Sequence, residues 1–83
     1  MNFTQHALDK LEQYEIEPKE VEQKNQTPLY SLYDQKQETQ IHIIQINNIY
    51  LVLVIDPDSQ NLITVYTTNQ RTIENRRKTK RWT

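Results

Sequence analysis

Apolar residues in this chain recur with strand spacing in its second half and with helical spacing near its start. The longest apolar run is Ile49-Tyr50-Leu51-Val52-Leu53-Val54-Ile55, bounded by Asn47-Asn48 and by Asp56-Pro57-Asp58. So short a run, rich in β-branched side chains, predicts a strand, and a strand apolar on both faces must be covered on both. Ile41-His42-Ile43-Ile44-Gln45-Ile46 precedes it and Leu62-Ile63-Thr64-Val65-Tyr66-Thr67 follows it. Asparagine tolerates the left-handed backbone of a tight hairpin, so Asn47-Asn48 predicts a two-residue turn. Residues 41–67 therefore read as a three-strand antiparallel meander, and Leu29-Tyr30-Ser31-Leu32-Tyr33 as a strand before it.

Upstream, Ala7, Leu8, Leu11 and Tyr14 form one stripe at helical spacing, with Asp9, Lys10, Glu12 and Gln13 on the polar side. Thr4 is a good N-cap, and Phe3 and Leu8 are spaced for a hydrophobic staple, which predicts a helix over residues 4–14. Glu17-Pro18-Lys19-Glu20 starts a second, weaker helix, ended by Thr27-Pro28, with Ile16 at the corner between the two. The expected architecture is α+β: two N-terminal helices packed on one face of a small antiparallel sheet of about four strands. Residues 1–70 form that domain and residues 71–83 a basic tail, where poor periodicity allows at most a short helix around Thr72 to Lys80. Two helices cover one sheet face only. The other face of the central strand needs the tail or a partner, so a homodimer or hetero-complex is expected.

Composition narrows the chemistry. Only 35% of the residues are hydrophobic, but they are concentrated in the first helix and the strands, so the chain reads as folded. It has no glycine, which excludes the glycine-rich phosphate loops of nucleotide enzymes. It has no cysteine, and its two histidines lie far apart, so no disulfide, metal or other cofactor is expected. No apolar stretch approaches the ~20 residues of a membrane span. With no apolar run near Met1 to suggest a leader, a cytoplasmic protein without a membrane partner is expected.

Charge is divided. Residues 1–70 carry four lysines against ten acids, a net of -6. Residues 71–83 carry Arg71, Arg76, Arg77, Lys78, Lys80 and Arg81 against Glu74 alone, a net of +5. Such asymmetry points to a polyanion. Cations interleaved with Trp82 suit single-stranded nucleic acid, the arginines and tryptophan stacking on bases and the lysines neutralising phosphates, and suit another acidic partner equally. A solvated terminus is the ordinary alternative. His6 and Lys10, one helical turn apart, form a second candidate: a neutral histidine near a helix N-terminus could take a proton from a ribose 2′-hydroxyl while the lysine stabilises the phosphate. The ordinary alternative is a surface histidine beside a surface lysine. Thr64, Tyr66 and Thr68 project from one face of the last strand, where a tyrosine can stack on a base or simply cover the sheet. His42, inside a strand, reads as a cross-strand filler.

Phe3-Thr4-Gln5-His6-Ala7-Leu8-Asp9-Lys10-Leu11, then Ile16, Glu20-Val21-Glu22 and Pro28, and finally Leu51 to Asp56 with Ile63-Thr64-Val65-Tyr66, resemble a small RelE-like domain family. That family looks like a branch of the RelE/ParE and barnase-like toxin superfamily. The resemblance implies a metal-independent, toxin-like ribonuclease, without cofactors, held by a cognate antitoxin-like protein. His6 and Lys10 would be catalytic with Tyr66. Thr64 would contact RNA; Arg71, Arg76, Arg77, Lys78, Lys80, Arg81 and Trp82 lie beyond the resembling residues 3–67 and are assigned to RNA contact by the charge argument alone. The chain departs from the family pattern in having Lys10 in place of an arginine, and Tyr14-Glu15 in place of an arginine–glycine pair. Lysine lacks the planar fork that grips phosphate. A non-catalytic interaction module or degenerate toxin homologue is therefore the second reading.

Overall fold

A computed structural model describes residues 1–83. Helix α1, Gln5–Gln13, begins where Thr4 Oγ1 accepts the Ala7 N–H at 3.1 Å, and the same hydroxyl donates to the Ile63 carbonyl at 2.8 Å. The helix ends in a left-handed residue, Glu15 (φ 57°). There the Glu15 N–H reaches the Glu12 carbonyl at 3.0 Å and the Ile16 N–H reaches Leu11 at 2.9 Å. That paired closure turns buried Ile16 into the core. Helix α2, Pro18–Lys24, has proline in its first turn and buries Val21.

Four strands follow: β1 Tyr30–Asp34, β2 Thr39–Ile46, β3 Ile49–Ile55 and β4 Leu62–Thr68. They form one antiparallel sheet in sequence order, and Asn47 and Asn48, at φ 52° and 65°, make the β2–β3 turn. The fold class is therefore the α+β one the sequence pattern predicts, with the meander as read. Each outer edge is partly paired by a chain end. The Leu62 N–H donates to Asn2 at 2.8 Å and the Thr4 N–H to Leu62 at 3.0 Å, while across the sheet the Gln35 N–H donates to Arg81 at 2.8 Å and the Thr83 N–H to Tyr33 at 2.9 Å.

The last segment, expected as a basic tail with at most a short helix around Thr72 to Lys80, is more ordered than that. Residues Gln70–Lys78 form helix α3, capped by Asn69 Oδ1 accepting the Thr72 N–H at 2.8 Å. Alternation along β3 sends Leu51, Leu53 and Ile55 towards α1 and α2, where they pack with Ala7, Leu11, Ile16, Val21, Ile44 and Val65. Val52 points the other way, into a second core of Leu32, Ile41 and Ile43 closed by Ile73 of α3 and by Trp82. Both sheet faces are thus covered within one chain, which removes the uncovered face that gave the reason for expecting a dimer or hetero-complex. The periodicity of α3 is poor because the segment docks through two anchors, one in the helix and one beyond it, and not through a continuous stripe. It is also no detachable tail: residues 71–83 contain both anchors.

Two outcomes follow for stability. Ile73→Ala should cost about 2–5 kcal/mol, as for any buried aliphatic in a core, read as a lower denaturation midpoint by circular dichroism. Conversely, Glu15→Gly should raise stability by up to about 1 kcal/mol, because a side chain in the left-handed region is strained and glycine is not.

Candidate nucleic-acid interface

The sheet separates charge. Residues 1–28, which include α1 and α2, carry three lysines against six acids, a net of -3. On the opposite face lies the α3 layer, where Arg71, Arg77, Lys78 and Lys80 are exposed and Arg76 and Arg81 half-buried. Several of these cations are fixed by what they cover. The Arg76 guanidinium lies over the Trp82 ring at 5.2 Å and that of Arg77 over Tyr30 at 5.3 Å.

One carboxylate ties this layer down. Asp34, 2% exposed, accepts the Trp82 indole N–H at 3.2 Å and Arg81 Nε at 3.4 Å on Oδ2. Its Oδ1 accepts the backbone N–H groups of Lys36 and Gln37, each at 2.9 Å. Burial by itself would raise this carboxyl. The hydrogen bonds from Gln37, Trp82 and Lys36, with the Arg81 charge, outweigh burial and hold it below the ordinary carboxylate value.

On the sheet face that α3 covers, at the end of the sheet, is a hollow of about 390 Å³. Thr64, Tyr66 and Arg81 line it with Thr39, Ile41 and Val54. Burial raises the Tyr66 phenol above its ordinary value, although the charges of Arg76 and Arg81 pull it down. The phenol therefore keeps its proton at neutral pH. Two buried polar atoms in this region, Thr39 Oγ1 and Arg76 Nε, have no hydrogen-bond partner.

The sequence-predicted residues divide between two faces. The six cations share the α3 layer, and Thr64, Tyr66 and Arg81 share the hollow. His6 and Lys10 do not join them. Val65 packs in the core shared with α1, whereas its neighbour Tyr66 packs in the core shared with α3. The sheet therefore stands between Tyr66 and the histidine–lysine pair, and the expected set of His6, Lys10 and Tyr66 is not one site. His6 is exposed, and Lys10 Nζ lies over the Tyr14 ring at 5.4 Å. Trp82 is 1% exposed, so it anchors the layer and cannot stack on a base. Sequence reading missed Thr39, which the alternation of β2 could have placed on the α3 face, and Asp34, whose partner lies 48 residues away.

His42 has a structural place. Its Nδ1 lies 2.6 Å from Asn25 Oδ1 and its Nε2 2.9 Å from Gln40 Nε2, which fits a neutral ring donating to Asn25 and accepting from Gln40. Burial holds this imidazole below its ordinary value. Comparison of the chain with protein-family models, curated proteins and solved structures finds no match.

Acid should act on the fold in two stages. The depressed His42 contributes stability that is present above the ordinary value of 6.5 and is lost as pH falls through its folded value. The depressed Asp34 contributes stability present above the ordinary 3.8 and lost at still lower pH. Denaturation midpoints measured between about pH 8 and pH 3 should fall in both windows. His42→Gln should remove the first decline, and Asp34→Asn should shrink the second, in which Asp56, also held low by the Asp58 N–H and the Ser59 hydroxyl, takes part.

Proposed function

We propose that the protein is an RNA-binding domain, related in kind to RelE-type toxins, that holds single-stranded RNA on its α3 layer. The observation that supports this reading is the separation of charge across the sheet. Cations gathered on one surface release counterions when they meet phosphates, whereas the acidic α1–α2 side repels the same strand. The arginines stacked on Trp82 and Tyr30 are held in place before binding, which lowers the ordering cost of contact.

A ribonuclease is the second reading, favoured by one observation. Tyr66 lies near both Arg76 and Arg81, with Thr64 in the same hollow, an arrangement suited to holding a scissile phosphate. In that reading His6 and Lys10 are not part of the site. Binding takes precedence because the hollow offers no group suited as a general base at neutral pH: Tyr66 keeps its proton, and Asp34 is occupied by its four donors.

Fluorescence anisotropy with a labelled single-stranded RNA across a salt series tests the proposal. Affinity should fall with salt at a log–log slope of roughly -0.7 per phosphate neutralised. Replacing exposed Arg71, Lys78 and Lys80 together by glutamine should flatten the slope by about 2, with the circular dichroism unchanged. Absence of binding at low salt, or an unchanged slope in the triple variant, overturns it. RNA recovered intact after incubation agrees with binding alone. Fragments that disappear with Tyr66→Phe, and persist with His6→Ala, establish the ribonuclease instead.

A further inference from the structure

We infer that the hollow at the end of the sheet is a pocket for a single unstacked nucleotide of the bound strand, an inference that rests on the RNA-binding reading. Its floor is a cross-strand row. Ile41 of β2 pairs with Val54 of β3, which pairs with Thr64 of β4, and all three side chains lie on the α3 face. Two branched aliphatic side chains in a row give the face of a base a surface to lie on.

The rim carries the complementary chemistry. Among the lining residues, Thr39 has a hydroxyl buried in the wall without a partner, and Thr64 and Tyr66 bring two more hydroxyls. Gln37 lines the same hollow. A base edge alternates donors and acceptors. Hydroxyl and amide groups supply both, and an unpartnered buried hydroxyl is costly unless something meets it. Arg81 completes the set. Its one side-chain hydrogen bond is from Nε to Asp34, which leaves the terminal guanidinium nitrogens for a phosphate.

Size and position favour one nucleotide over a longer piece. The volume of about 390 Å³ is near the lower end of small-ligand sites. Arg81 lies on the boundary between hollow and α3 layer, so a strand whose phosphates run along α3 can turn one residue into the cup. The hollow lined by Arg71, Thr72, Glu74, Asn75, Arg76 and Lys78 has no hydrophobic lining residue and so gives the face of a base no surface to lie on.

The test is an amide NMR titration of the whole chain with each of the four ribonucleoside 5′-monophosphates, with inorganic phosphate as the control anion. At least one nucleotide should shift the amides of Thr39, Ile41, Val54 and Thr64 saturably, and phosphate alone should leave Ile41 and Val54 unmoved. Thr64→Phe, which fills the cup, should abolish those shifts and weaken binding of a single-stranded RNA about tenfold by removing one base contact, with the salt slope unchanged. Thr39→Val, which removes a hydroxyl without adding bulk, should weaken nucleotide binding severalfold in a chain whose remaining spectrum is native. Nucleotide shifts confined to α3, or RNA bound by Thr64→Phe as tightly as by the wild type, overturn the pocket and leave the α3 reading standing. Failure of the RNA reading looks different: the wild type then binds no RNA at low salt, and both fall together.

Discussion

A buried carboxylate holds the C-terminal layer of this protein in place. Asp34 receives four hydrogen bonds, two from the turn that follows it and two from Arg81 and Trp82. Taking a carboxylate out of water is costly, and removing one partner of such a group typically costs about 3–5 kcal/mol. The cost is offset only when the turn after β1 and the end of the chain are both in place. Asp34 therefore couples a local turn to a contact across more than half the sequence. Without that contact Trp82 has no polar partner for its indole, the second core loses its lid, and Arg76 and Arg81 lose the surfaces that position them.

The apolar content of β3 explains why such a lid is required. A strand flanked by polar residues on one face can leave that face wet, as antiparallel sheets often do. Here Val52 is fully buried on the side opposite Leu51 and Leu53, so both faces must be dry. Two helices at the start of the chain meet half of that demand. The other half falls to α3, which has only Ile73 to bury, supplemented by Trp82 after its end. The cationic surface is what remains of a segment that uses few of its residues for packing.

Much of the sheet was legible because strand signals are local. The Asn47-Asn48 turn, the alternation of Ile41 and Ile43, and the two-faced run of β3 each follow from a few neighbouring residues. That the tail covers the second face was legible only as one of two alternatives, since one isoleucine and one tryptophan nine residues apart do not make a helical stripe, and basic side chains around them read as solvent-facing. Thr64, Tyr66 and Arg81 were each legible as polar residues on exposed segments. Their convergence depends on register, and register depends on long-range pairing that no local window contains. The His6–Lys10 spacing was legible too, but spacing on a helix does not say which side of a sheet the helix occupies.

The position of the two anchors has a consequence for synthesis. A chain leaves the ribosome from its start, and folding can use only what has emerged. The meander and its first pair of helices are available early, with Leu32, Ile41, Ile43 and Val52 still in contact with water. That surface stays open until residue 73, and then residue 82, has been made. Closure of the second core is thus a late step that follows formation of the sheet. All six cations precede Trp82 in the chain, so an emerging chain carries its positive charge before its interior is finished.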